Sequence, residues 1–213
     1  MPTVLAISGS PSGTSRTVAA AESALDRLEV LGFAVRHLAV RDLPAADLLA
    51  GKTSNPEIRR ALDEIAAADG VIVATPIYKA SYSGVLKALL DVLPQRGLAG
   101  KTVLPLATGG SLAHLLAVDY ALRPVLTSLG ARHVVEGAFL LDSAFVSDAT
   151  GIRYTLAPDA DLRLDDAVGG FAMALGMMYG PRHEVGRGGL AAHRRHALFA
   201  PLDDPMLRDP VRG

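Results

Sequence analysis

The sequence predicts a doubly wound α/β fold on a five-stranded parallel sheet. Three observations predict it. Short apolar runs rich in β-branched residues alternate with segments whose apolar residues recur at helical spacing. Gly, Pro, Asp and Ser punctuate the boundaries between them. Three polar loops, 8–17, 76–82 and 108–114, each follow the carboxyl end of an apolar run, where open α/β sheets bind ligands.

Thr3 to Ile7 reads as the first strand, and Ser8-Gly9-Ser10-Pro11-Ser12-Gly13-Thr14-Ser15-Arg16-Thr17 as the loop after it. Val18, Ala21, Leu25 and Leu28 then share one face of a helix that ends at Gly32. Residues 33–40 form the second strand. A leucine-containing connection over 43–50 leads to Asn55-Pro56, an N-cap with proline at the first helical position. Ile58, Leu62 and Ile65 give that helix its buried side.

Asp69-Gly70 turns into Val71–Ala74, β-branched at three of its four positions, as in a strand buried on both faces. Pro76 has no N–H to give a ladder and is expected to end the pairing. Ser83 is an N-cap candidate, and Leu86, Leu89, Leu90 and Leu93 follow at i, i+3, i+4 and i+7. Gly100-Lys101 opens the fourth strand, Thr102 to Thr108, in which Pro105 predicts a lost ladder bond or a bulge.

Leu112 to Leu129 reads as a helix apolar nearly all round, which suggests a subunit interface. Pro124 removes the bond to the carbonyl of Tyr120, so a kink or π-bulge is expected near Tyr120. Residues 133–139 are the fifth strand. A loop with Gly151 and Pro158 leads to a last helix over 159–178, with Leu164, Val168, Phe171, Ala172 and Leu175 inward. From 181 the periodicity is lost and Arg, His, Gly and Pro dominate, so 1–180 is read as one domain and 181–213 as a tail. A flavodoxin-like strand order, 2-1-3-4-5, brings the three loops to one rim of the sheet.

Composition narrows the functions available. A net charge of −1 offers no field for nucleic acid or an acidic membrane surface. The absence of cysteine excludes disulfides, thiolate metal sites and a cysteine nucleophile. No apolar run approaches the ~20 residues of a membrane span, and no N-terminal signal segment is visible, so a soluble cytoplasmic protein is expected. The histidines at 37, 114, 133, 183, 193 and 196 lack metal-ligand spacing, and no nucleophile–base pair stands out; no metal or catalytic side chain is assigned. Asp91 and Asp119 are read as structural helix carboxylates.

The first loop suits a phosphate. A helix N-terminus offers unpaired N–H groups and partial positive charge; Ser10, Ser15 and Thr17 add hydroxyls and Arg16 a cation. It is neither a P-loop nor a dinucleotide fingerprint, and a plain helix-capping turn is the alternative. In the second loop Tyr78, Lys79 and Tyr82 follow Pro76, where backbone N–H groups can face a flat heterocycle; surface packing is the alternative. In the third, Thr108 precedes Gly109 and Gly110, which allow close approach to a ligand. His114 is read either as polarising a ligand carbonyl or as hydrogen-bonded in place.

Taken together, ISGSPSGTSRT, VIVATPIYKASYSGVLKALLDVLP and KTVLPLATGGSLAHLLAVDYALRPVL resemble the NADPH-dependent FMN reductases. Within them they look most like the reductase partner of two-component alkanesulfonate monooxygenases. The similarity runs over about residues 3–180. It implies FMN phosphate at Ser10, Ser15, Arg16 and Thr17. It implies the isoalloxazine against Pro76, Ile77, Tyr78 and Lys79, with Thr108, Gly109 and Gly110 across from them. It further implies a homo-oligomer, tetramer or dimer, through the 112–129 helix, with Tyr120 matching a tyrosine tied to a π-helical turn. Ser12 stands where relatives often carry a basic residue, which leaves Arg16 as the main phosphate cation.

The activity so implied is hydride transfer from C4 of NADPH, or of NADH, to N5 of FMN, with reduced flavin passed to a partner monooxygenase. Such chemistry belongs to the cofactors and needs no catalytic acid or base from the chain. The absence of Trp, and of any aromatic in 108–114, favours exchangeable flavin, since each good stacking contact adds about 1 kcal/mol. The alternatives are a quinone or azo reductase with retained flavin, an electron-carrier flavodoxin and a structural module. Carriers are usually acidic and grip the ring with aromatics, and this chain does neither.

Overall fold

Alternation along the strands determines the architecture. In the computed structural model, which describes residues 1–151 and 153–179, three neighbouring strands are buried on both faces: β1 (Thr3–Ser8), β3 (Gly70–Tyr78) and β5 (Thr102–Gly109). Leu5, Ile7, Val71, Val73 and Val103 point to one face. There they meet Ile58 and Ile65 of α3 (Pro56–Ala67), Leu86 and Leu90 of α4 (Gly84–Asp91) and Leu126 of α5 (Arg123–Ser128). Val4, Ala6, Ile72, Ala74, Leu104 and Leu106 point to the other. They meet Ala21, Ala24 and Leu28 of α1 (Arg16–Val30) and Leu164, Val168, Phe171 and Leu175 of α6 (Pro158–Tyr179). Period-2 side chains on a sheet covered twice make the doubly wound sandwich.

With β2 (Ala34–Ala39) beside β1, the parallel order is β2-β1-β3-β5, and the fifth position is filled by β6 (His133–Val134) and β7 (Ala138–Leu141), both paired to β5. This is the predicted flavodoxin-like order, with the fifth strand cut in two. The cut answers Pro105. The Val103 carbonyl accepts from Val135, so Pro105, two residues on, turns its hydrogen-free nitrogen to the same side. That side is where 135–137 leave the ladder. Gly137 crosses so close that a Cβ there would lie 2.4 Å from the Pro105 carbonyl oxygen. Arg123 closes the gap by donating to the Val134 and Val135 carbonyls.

Pro76 does not end its strand, contrary to expectation. The strand continues to Tyr78 and folds back on β4 (Ser81–Tyr82). The Ala74 carbonyl accepts from Gly9 on the β1 side, so Pro76 also faces that side, where β1 has already ended and no N–H is needed. The turn residues Lys79 and Ala80 have φ of +52° and +62°, the hairpin turn that normally selects Gly or Asn.

The 112–129 segment is not one regular helix. It begins as a 3-10 turn (Leu112–His114), becomes a π-helix (Val118–Leu122) carrying Tyr120, and continues as α5 from Arg123, just ahead of Pro124. Besides β4, the sequence reading missed the short helix α2 (Ala45–Leu49) and a hairpin of β8 (Phe145–Ser147) and β9 (Tyr154–Leu156) within the loop before α6. No helix among the described residues is long and apolar enough to cross a membrane. The described residues form one compact unit, and the predicted tail, 181–213, lies outside the described residues.

Candidate functional site

Hydrogen bonds between distant segments tie the three strand-end loops together. Ser83 caps α4 by accepting from the Leu86 N–H at 3.1 Å, and its hydroxyl donates to the Gly9 carbonyl at 2.5 Å. Its own N–H donates to Thr75 Oγ1 at 3.0 Å. One side chain thereby starts a helix and clamps the first loop to the second. The first and third loops are joined by Thr17 and Thr108, whose hydroxyls lie 2.6 Å apart and are both buried.

These ties shape a cleft of about 260 Å³. Ser10, Ser15, Arg16 and Thr17 line it from the first loop, Pro76, Ile77 and Tyr78 from the second, and Thr108, Gly109 and Gly110 from the third. Of the candidates read from the sequence, Lys79, Tyr82 and His114 are outside this lining; Lys79 stands one residue beyond Tyr78, at the hairpin tip, and Tyr82 on the returning strand β4. Larger hollows of about 470 and 720 Å³ lie elsewhere, but among the described residues neither is lined by all three loops.

The first loop gathers donors of the kind an anion needs. Ser15 is the N-cap of α1 and accepts from Val18 at 3.3 Å, which leaves its hydroxyl proton to donate. The Arg16 and Thr17 N–H groups fall in the first turn, where a helix supplies no partners. No acidic residue occupies that turn; the exposed cation Arg16 does, against the sense of the helix dipole. A cation beside free helix N–H groups is an arrangement that an anion could use.

Gly109 has a packing reason to be glycine: a Cβ would lie 3.0 Å from the Phe139 ring. Gly110 is more open, with Asp142 Oδ2 its nearest neighbour at 3.7 Å from such a Cβ. His114 is not in the cleft lining, and among the described residues its buried Nδ1 has no hydrogen-bond partner.

Three residues escaped the sequence reading. Asp142 brings a carboxylate to the cleft from the turn after β7. Arg41 donates to the Ser12 carbonyl, giving the loop a second cation nearby. Tyr154 of β9 lies with its ring centroid 5.4 Å from the Arg16 guanidinium carbon. None has a local motif, since each contact spans tens of residues.

The family model for "NADPH-dependent FMN reductase" matches residues 2–146. The chain belongs to this family. It is 45% identical over 172 residues to an FMN reductase (NADPH) of Escherichia coli K12, covering 81% of this chain and 89% of that one. A second FMN reductase (NADPH), from Pseudomonas putida KT2440, is 47% identical over 173 residues, covering 81% and 87%. The crystal structure of an NADH:FMN oxidoreductase in its apo form superposes with a TM-score of 0.74 at 47% identity, covering 82% of this chain and 90% of that one. In this FMN reductase-family chain the model's span takes in all three loops. It stops inside the β8–β9 hairpin, so Tyr154 lies beyond it.

Proposed function

We propose that the chain is an NAD(P)H-dependent FMN reductase whose three-loop cleft binds FMN and releases it reduced to a flavin-dependent monooxygenase, of the alkanesulfonate type by sequence resemblance. The convergence of an anion-binding helix start with two ring-sized strand-end loops carries the reading. The residues fit the group. The Arg16 and Thr17 N–H groups, the Ser10 and Ser15 hydroxyls and the Arg16 guanidinium hold the phosphate. Pro76, Ile77 and Tyr78 take one side of the ring and Thr108, Gly109 and Gly110 the other, with Lys79 at the hairpin tip.

Bound FMN supplies N5 as hydride acceptor for nicotinamide C4. The chain's own part is to fix the phosphate, orient the ring and leave one ring face open to the dinucleotide. Leu112, Leu115, Leu116 and Tyr120 are exposed along the 3-10 and π segments, the face we assign to a homo-oligomer contact. Residues 1–180 form the proposed reductase domain, working in the cytoplasm where reduced dinucleotide is available.

Steady-state oxidation of NADPH and NADH, with and without added FMN, FAD and riboflavin, tests the reading. Saturable turnover of added FMN is expected. Flavin that stays bound through gel filtration, together with turnover of quinones but not of free FMN, would replace it with a quinone reductase.

A further inference from the structure

Arg16 is exposed, and among the described residues no carboxylate forms an ion pair with it. An exposed arginine samples many rotamers, so fixing it on a phosphate has an entropic cost. Here one partner is already in place. The Tyr154 ring lies 5.4 Å from the guanidinium carbon, inside the range of cation–π attraction. Tyr154 is itself braced: Phe145, the buried first residue of β8, meets it edge to face with centroids 6.2 Å apart and planes at 89°. Backbone pairing of Ser147 with Tyr154 and of Phe145 with Leu156 fixes the hairpin that carries both rings.

The setting gives this ring a second consequence. Tyr154 and Ser15 also line the hollow of about 720 Å³, whose wall includes the carboxylates Glu22, Asp26 and Asp161. Asp161 is already paired with Arg27, and Arg41 and Arg153 line the same hollow. A neutral π face attracts the guanidinium without neutralising it, so the full charge is kept for an incoming anion.

We propose that Tyr154 is a positioning residue: braced by Phe145, its ring holds Arg16 at the first loop and thereby makes the site prefer FMN over riboflavin. The proposal rests on the FMN reading above, and the experiment separates the two. Flavin KM and kcat are measured for FMN and riboflavin in the wild type, Tyr154→Leu and Tyr154→Phe, each checked for folding by thermal melt. Leucine keeps apolar bulk on Phe145 but removes the π face; phenylalanine keeps the face.

Tyr154→Leu is expected to raise the KM for FMN about 2–5-fold, the span of a cation–π contact of this exposure, with kcat and the riboflavin KM little changed. Tyr154→Phe is expected to restore the wild-type FMN KM to within about twofold. The proposal is overturned if Tyr154→Leu raises both KM values alike, leaves both unchanged or lowers that for FMN, or if Tyr154→Phe behaves like leucine. A wild type that reduces FMN and riboflavin with the same KM would instead remove the phosphate assignment, and Tyr154's role with it.

Discussion

Adding one methyl group at Gly9 should pry the first loop away from α4. An alanine Cβ would lie 2.5 Å from Leu86 Cβ, 3.2 Å from Leu86 Cα and 3.0 Å from Ser83 Oγ. Carbon atoms in contact sit about 3.5–4.0 Å apart, and neither Leu86 atom can swing aside, so loop and helix must separate by roughly 1 Å. That movement stretches the Ser83–Gly9 bond of 2.5 Å and loads the Gly9–Ala74 bond of 2.8 Å, which extends the β1–β3 ladder. Overpacking of this kind costs about 1–3 kcal/mol. For a unit of this size that corresponds to a fall in Tm of about 3–10 °C. Because Gly9 adjoins Ser10 of the cleft, the KM for FMN should rise as well. Differential scanning calorimetry and FMN kinetics on Gly9→Ala read both effects. A Tm within about 1 °C of wild type with unchanged FMN kinetics would refute the idea that this contact sets the rim.

Other perturbations probe the scaffold. Lys101 is buried and donates to the Ala66 and Ala68 carbonyls at 2.7 and 2.5 Å, closing the end of α3. Lys101→Met strands both carbonyls and should cost about 2–3 kcal/mol in urea unfolding; a loss below about 0.5 kcal/mol would rule out that capping role. Burial holds the pKa of His37 below the usual histidine value, an effect Arg41 reinforces and Glu22 and Asp42 oppose. The unfolded chain therefore binds a proton that the fold resists, and stability should fall as pH drops from about 6.5 toward the depressed value. His37→Gln should flatten that slope in melts across pH 5–7, whereas an unchanged slope would place the effect elsewhere. Lys79→Gly relieves one of two left-handed turn residues and should stabilise the protein by about 0.5–1 kcal/mol, read by chemical denaturation; a destabilisation would mean that the lysine side chain earns its strained geometry through contacts.

The core was legible because its signals are local. The apolar run of 71–74 and the leucine spacing in 86–93 depend on residues that are neighbours in the chain, and strand and helix are found where those signals put them. The two prolines were harder. Pro105 announced a ladder defect, but the defect appears in the partner strand, as the break at 135–137. Pro76 looked like a strand end, yet what it does depends on β1 stopping first. In the site, loop residues that follow strand ends were readable. The residues that complete it were not: Tyr154, Asp142 and Arg41 reach the rim only through long-range folding. The β8–β9 hairpin that brings Tyr154 is short, and its six strand residues are too few to show a convincing period.

The most direct test is a crystal structure of the protein with FMN. The account predicts the phosphate at the Arg16 and Thr17 N–H groups with Ser10 and Ser15 beside it, and the ring between 76–78 and 108–110. FMN lodged in the hollow beside Glu22 and Asp161, or with its phosphate turned away from Arg16, would contradict it.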